Sequence, residues 1–340
     1  MVSGMSTPEM TAGLRLVGGQ AARVVDGAEV LAHAQAAKSI SIEDVSVSYA
    51  LERSARRCVL ENITLEIEEG EFVVLLGETG CGKSTLLRML LGQERPTTGQ
   101  ISVGGARVER VDARSGYVPQ RYSLFPDRTV LDNLMMGPLT SKFHILGRLR
   151  PSYWEARRAV KAEAFRQLAH MGLQASDAGK YPYQLSGGMQ QRVAIAQALM
   201  MKNRVLLMDE AFSALDPATR SSLQRLLRSV WSETRPTVVF VTHNTAEALF
   251  LGTRLIVLAR ESKDDACGSR VTLDMKLAEG GMTLRTHGQK FLDLVEHVEA
   301  VSCGQRLTAP GERRTALDDC GEESDGVGPV RVFPEDGVAK

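Results

Sequence analysis

The chain has 340 residues and equal numbers of basic and acidic side chains, 41 Lys plus Arg against 41 Asp plus Glu, so its formal charge is zero. That balance gives no electrostatic reason to expect a nucleic-acid partner. Its apolar runs, such as Phe72–Leu76 and Val238–Val241, fall far short of the roughly 18 residues that a membrane-spanning helix needs.

Residues 1–38 are rich in Ala, Gly and small polar residues, show no periodicity and lack the basic start, apolar segment and cleavage site of a secretory signal. They are expected to be a flexible leader on a cytoplasmic protein. From Ile40 the pattern turns to period two, with Ile40, Ile42, Val45, Val47 and Tyr49, then Ile63, Leu65 and Ile67, which predicts antiparallel strands. Glu69-Gly70 makes a turn into 71–76, an apolar run suited to a strand buried on both faces. A Gly-rich loop follows, then a helix over Lys83–Leu91 ending at Gly92. Short strands are predicted at Gln100–Val103 and Ser115–Pro119, then a mainly helical stretch over about 129–181, in which Ser152-Tyr153-Trp154-Glu155 fits a capping box. Strands are expected again at Arg204–Met208 and Thr237–Thr242, separated by a helix to about Trp231 with Asp216 as N-cap and Pro217 at its first position. Strands at Arg254–Leu258 and Arg270–Met275 and a helix over Gln289–Val301 complete the pattern. From about Ser302 the chain is Gly-rich and charged, a candidate tail.

The chemistry is concentrated in three places. The Gly77-Glu78-Thr79-Gly80-Cys81-Gly82-Lys83-Ser84 run has the spacing of a phosphate loop. Its glycines let backbone N–H groups point inward, and the helix behind it presents its positive end to an anion. Lys83 would reach the β- and γ-phosphates and Ser84 would bind Mg²⁺. Val205-Leu206-Leu207-Met208-Asp209-Glu210 reads as an apolar strand delivering two carboxylates at its C-terminal edge, Asp209 for Mg²⁺ and Glu210 to orient and deprotonate an attacking water. In Leu185-Ser186-Gly187-Gly188-Met189-Gln190-Gln191-Arg192, Ser186 and the Gly187 and Gly188 amides start an apolar helix and form a second anion-binding helix end. The five cysteines, Cys58, Cys81, Cys267, Cys303 and Cys320, have no C-x-x-C spacing and read as reduced thiols. Cys81 stands out because alkylation there would block nucleotide entry by bulk.

Together these elements resemble the ATP-binding cassette family over about Ile40–Val301. The resemblance implies an α/β P-loop NTPase fold with a RecA-like parallel core, an antiparallel β subdomain and a helical subdomain at about 129–181, all within 39–301, with 302–340 as a flexible tail. It implies that ATP is cradled by Gly77 through Thr85, that Gln120 contacts Mg²⁺ and links the site to a membrane partner, and that His243 contacts the γ-phosphate and steadies the water. Tyr49 resembles the aromatic that stacks on adenine, although Ala50–Arg57 looks like an insertion; a tyrosine finishing a strand is the other reading. Ser213-Ala214-Leu215-Asp216 resembles the loop that couples two sites across a dimer, in which Ser186, Gly187 and Gly188 face ATP held by the second copy.

The runs Tyr122–Leu134 and Glu247–Leu251 look like those of importer subunits, especially the nitrate, sulfonate and taurine group. The expected partners are therefore a second copy, transmembrane permease subunits and, through them, an extracytoplasmic solute-binding protein, at the cytoplasmic face of the inner membrane. Ala211 departs from the proline common in importers. Residues 135–154, with Lys142, Arg148 and Arg150, form a longer stretch than the family pattern and are read as a solvated loop ahead of a docking surface. An exporter subunit or a soluble non-transport ATPase of the same family stays open at this stage.

Overall fold

The period-two pattern of the first strand slips at Glu43-Asp44, and the fold shows why. The computed structural model describes residues 38–50, 56–111, 114–120, 123–143, 150–260, 268–277, 281–283 and 287–302. Strand β1 (Lys38–Ala50) pairs antiparallel with β2 (Arg56–Glu68), and their register shifts between Ile42 and Val45. Asp44 takes φ +47° there, which a short polar side chain tolerates. The bulge returns Val45 and Val47 to the same buried side as Ile40 and Ile42. The pairing continues to Ala50 opposite Arg56, so both ends of the expected insertion, Ala50 and Arg56-Arg57, belong to the paired strands, and its residues 51–55 lie outside the described ones. The same holds for most of the leader and tail, for Tyr122 and Arg148, and for Cys267, Cys303 and Cys320.

β1 and β2 join β4 (Thr98–Val103) and the two-residue β5 (Ala106–Arg107), which the sequence reading missed, in a four-stranded antiparallel sheet ordered β2-β1-β4-β5. The second sheet has the order β10-β9-β3-β8-β7-β6. Its strands β3 (Phe72–Leu76), β6 (Ser115–Val118), β7 (Val205–Asp209), β8 (Thr237–Thr242) and β9 (Arg254–Ala259) run parallel, and β10 (Arg270–Lys276) is antiparallel on the edge.

Alternate residues of the parallel strands serve two cores. Val73, Leu75, Val205, Leu207, Val239 and Val241 pack toward the antiparallel sheet and helix α1 (Lys83–Leu90). Phe72, Val74, Leu206, Met208, Val238 and Phe240 pack toward the remaining helices. This double burial explains the unbroken apolar runs, and each fully buried Leu or Val in them contributes about 2 kcal/mol. Arg254 pins the seam at the far edge of both sheets. It makes two 2.7 Å bonds to Asp274, one of 2.7 Å to the Glu66 carbonyl and one of 3.2 Å to Glu71.

Helices α2 (Val130–Lys142) and α3 (Pro151–His170) pack on each other and on α4 (Gly187–Met200). Two expectations fail here. The 135–154 stretch is not a solvated loop as far as it is described: α2 carries on to Lys142 with Met135, Pro138 and Leu139 buried. Pro138 lies buried inside this helix, and beyond it the Thr140 hydroxyl donates to the Met136 carbonyl at 2.8 Å and the Ser141 hydroxyl to that of Pro138 at 3.2 Å. Nor does Ser152 cap α3. The helix starts at Pro151, with Arg150 as N-cap and no side-chain cap bond, because a proline suits the first helical position and moves the start upstream. Helices α5 (Pro217–Thr234), α6 (Thr245–Leu251) and α7 (Gln289–Ser302) complete the layer. Among the described residues no helix is long and apolar enough to cross a membrane.

Candidate functional site

Four neighbouring strands, in the spatial order β3-β8-β7-β6, end on one edge of the parallel sheet. The segments that leave them carry the phosphate loop, His243, Asp209 with Glu210, and Gln120. This carboxyl edge is where open α/β sheets place ligands.

Gly82 is the N-cap of α1 with φ +96°, a conformation that glycine adopts at little cost. Because α1 starts at Lys83, the first N–H groups of the helix, those of Lys83, Ser84 and Thr85, have no carbonyl partner within it. They are the donors an anion would use. Lys83 is buried, and its ammonium donates to the carbonyls of Gly77 at 2.6 Å and Glu78 at 2.8 Å and to Cys81 Sγ at 3.7 Å. The cation is thus held inside the loop, while Glu78, Thr79, Gly80 and Ser84 are exposed around it. Cys81 is itself buried, and burial pushes its thiol up, against the pull of the Lys83 charge.

Asp209 ends β7, and Glu210 next to it has φ +42°, uncommon for a non-glycine residue. The Glu210 N–H donates to Val241 O at 3.0 Å, and both the N–H and the hydroxyl of Ser213 reach Glu210 O at 3.0 Å, so the turn is held from both sides. The two carboxylates consequently part. Asp209 Oδ1 accepts from the Ser84 hydroxyl at 3.3 Å. Burial raises the Asp209 carboxyl above the ordinary range, with the Glu210 charge adding and the Ser84 bond opposing. Glu210 turns instead toward β6 and β8: Gln120 Nε2 donates to Oε2 at 3.0 Å, and His243 Nδ1 lies 3.2 Å from Oε1. Gln120 Nε2 also lies 3.4 Å from Ser213 Oγ.

Tyr49 is partly exposed at the end of β1. Its hydroxyl bonds Glu94 and lies beside Thr85 of α1, so the bulge register does bring this ring next to the phosphate loop. Ser186 caps α4 through Met189 N–H at 3.3 Å, and Gly187 and Gly188 form its first turn. A Cβ on Gly188 would come 2.4 Å from Thr219 Cγ2 of α5, so glycine is needed for helix packing there as well as for backbone exposure. Ser186 and Gly188 line a depression of about 470 Å³ with Lys180, Arg192 and Thr219 among its other walls, and no residue of 77–84 contributes to it. The helix end expected to bind an anion therefore shares no wall of this depression with its own phosphate loop.

Comparison with known proteins agrees with this geometry. A profile of the ABC transporter family matches residues 60–213. The taurine import ATP-binding protein of Rhizobium johnstonii is 38% identical over 77% of this chain and 95% of its own length. The chain belongs to the ATP-binding cassette family. The aliphatic sulfonates import ATP-binding protein of Bacillus cereus is 35% identical over 65% of this chain and 81% of its own. A solved dimeric cassette in a post-hydrolysis state, bound to ADP and inorganic phosphate, superposes with a TM-score of 0.57 at 32% identity, covering 70% of this chain and 99% of that one. The α/β P-loop fold expected of a cassette is therefore the fold found.

As a cassette, the chain should accommodate Mg²⁺, and its donors fit. The Ser84 hydroxyl and Asp209 carboxylate, 3.3 Å apart, are hard oxygen ligands suited to a cation that shares its sphere with phosphates and water. Gln120 stands on the other side of Glu210, its amide NH₂ turned to that carboxylate.

Sequence reasoning passed over Arg220. Its Nε donates to Phe212 O at 3.2 Å and its Nη2 to Leu215 O at 3.1 Å, clamping loop 212–215 from the first turn of α5. The available signal was a lone basic residue four positions after the Asp216 cap.

Proposed function

We propose that this chain is the ATP-hydrolysing subunit of a membrane importer, with 39–301 as its cassette and a second copy as the other half of each nucleotide site. The observation that carries the reading is the Glu210 carboxylate, held between Gln120 and His243 on the sheet edge that also carries Lys83.

In this reading the loop from Gly77 to Thr85 binds the phosphates, with Lys83 exchanging part of its carbonyl bonds for phosphate oxygens. Tyr49 offers a ring face to adenine. Ser84, Asp209 and the Gln120 amide oxygen would hold Mg²⁺, which when bound would neutralise charge on the phosphates. Glu210 takes the proton of the attacking water, and His243, oriented by its bond to Glu210, steadies that water against the γ-phosphate. The partner's Ser186–Gly188 helix end closes the site; in support, the depression beside Ser186 and Gly188 has no wall from residues 77–84 of the same chain. Closure and reopening of the pair are passed to transmembrane permease subunits at the cytoplasmic face of the inner membrane. An extracytoplasmic solute-binding protein supplies those subunits. The names of the taurine and sulfonate relatives favour import over export and a small sulfonate- or taurine-like solute.

The test is to purify the tagged chain from its host membranes, identify the copurifying spanning proteins and measure ATP-dependent uptake of labelled taurine in vesicles rebuilt from them. Uptake that requires the chain and ATP is expected. Copurification with an export pore, or recovery of the chain from its host with no membrane-spanning partner, would overturn the importer assignment.

A further inference from the structure

His243 is exposed, yet its neighbours are tied down on every side. The hydroxyl of Thr242, the last residue of β8, donates to Glu247 Oε2 and accepts from the Asn244 N–H at 3.1 Å. Asn244 Oδ1 in turn accepts from the Glu247 N–H at 2.9 Å. A closed set of bonds thus spans the turn that carries the histidine.

Glu247 is an unusual residue to find at its centre. It sits among Ala248, Leu249 and Leu251 on α6, is only 7% exposed, and burial pushes its carboxyl above the ordinary range. Burying an acid is costly unless donors compensate, and Glu247 has two, Thr242 and Gln224 Nε2 at 2.8 Å. Gln224 lies four residues after Arg220 on α5, on the same helix face. Arg220 is the residue whose guanidinium holds the carbonyls of Phe212 and Leu215. Glu247, Arg220, Ser213, His243 and Glu210 line one cavity of about 40 Å³, room for a water molecule and little more.

We propose that Glu247 is a positioning residue for hydrolysis: through Thr242 it fixes the turn that aims His243 at Glu210, and through Gln224 it ties that turn to the helix whose Arg220 clamps loop 212–215. The inference rests on the ATPase reading above and deepens it. A displacement of that loop by a partner subunit would be passed to the histidine through the Arg220 bonds, one rigid helix and the two hydrogen bonds that Glu247 accepts.

The experiment measures steady-state ATP hydrolysis by the purified full-length chain, with thermal unfolding in parallel. Glu247→Ala should lower kcat about tenfold or more, as small misplacements of catalytic groups do. KM for ATP should stay within about twofold, because the phosphate loop is untouched. Glu247→Gln should restore most of the turnover, since an amide can accept from one donor and offer its NH₂ to the other partner. Gln224→Met, which keeps volume and fold while removing one donor, should lower kcat about threefold with KM unchanged; it decides the matter if Glu247→Ala does not fold. Wild-type turnover in Gln224→Met and Glu247→Ala, parallel loss of ATP affinity and turnover, or a Glu247→Gln variant as slow as Glu247→Ala would each overturn the proposal alone. Absence of hydrolysis by the unaltered chain would overturn the ATPase reading, and this inference with it.

Discussion

His243 Nδ1 lies 3.2 Å from Glu210 Oε1, while Gln120 Nε2 donates to the other oxygen of the same carboxylate at 3.0 Å. One acid is thereby oriented from two neighbouring segments, which is the arrangement a general base needs. Glu210→Gln keeps the shape and removes the proton acceptor. Turnover should fall at least about 100-fold, and an ATP-bound dimer should accumulate in size-exclusion chromatography. Hydrolysis within tenfold of wild type would take Glu210 out of the base role.

Lys83 gives a different outcome, because its ammonium holds the loop as well as any phosphate. Lys83→Ala removes the 2.6 Å and 2.8 Å bonds to the Gly77 and Glu78 carbonyls together with the charge that would meet the triphosphate. ATP affinity, read with a fluorescent analogue, should weaken by about tenfold or more, the scale of a lost charge-assisted bond. Unchanged affinity would contradict the cradle.

Most of this edge was legible in the sequence because each strand ends in a residue type that its neighbours cannot supply: Lys83 after a glycine loop, two acids after an apolar run, a lone histidine after Thr242. Asp216 announced its helix as an N-cap and does accept from Thr219 N–H at 3.0 Å. Tertiary compensation was not legible. Pro138 sits inside α2, buried on the helix that α3 and α4 pack against, and nothing local shows it. Ser152-x-x-Glu155 has the letters of a capping box, but Pro151 precedes it and already starts the helix. Arg220 was passed over, and Glu247 was read only as the first residue of the importer-like run Glu247–Leu251, for a related reason: the partners that give each its role are carbonyls or side chains brought in by other parts of the chain.

Asp209 carries a stability consequence with a definite sign. Its folded-state pKa is raised, chiefly by burial, so the charged form is penalised in the folded chain. The unliganded protein should lose stability as pH rises from the unfolded Asp value through the raised folded one. Asp209→Asn should remove that penalty and raise the unfolding free energy at neutral pH, while abolishing Mg²⁺-dependent hydrolysis. Proton competition should also weaken Mg²⁺ binding at a higher pH than an ordinary aspartate would show. Calorimetry across pH with and without Mg²⁺ checks both; a destabilised Asn variant would contradict the burial argument.

Cys81 sits where a thiol reagent would obstruct the phosphates, but it is buried and its pKa is raised. Since the thiolate is the nucleophile, reaction with a maleimide should run at least about tenfold slower than with a free thiol at the same pH. MgATP should slow it further. Peptide-level mass spectrometry distinguishes Cys81 from the other cysteines. Rapid, ATP-insensitive labelling would place the thiol outside the loop described here.

The separation of Ser186 from the phosphate loop allows a decisive mixing experiment. Lys83→Ala disables the loop of a chain, and Ser186→Arg fills the helix end that should close on the partner's nucleotide. Each homodimer then has no intact site. In a mixed pair, one site combines both lesions and the other combines an unaltered loop with an unaltered helix end. Random pairing of equal amounts puts half of the chains in mixed dimers, so hydrolysis should recover to as much as about a quarter of the wild-type rate. If instead the loop and Ser186 of one chain served the same nucleotide, every chain in the mixture would carry a lesion in its only site and no activity would return. Recovery on mixing therefore requires nucleotide shared between subunits, and its absence with both variants folded and dimeric would exclude it.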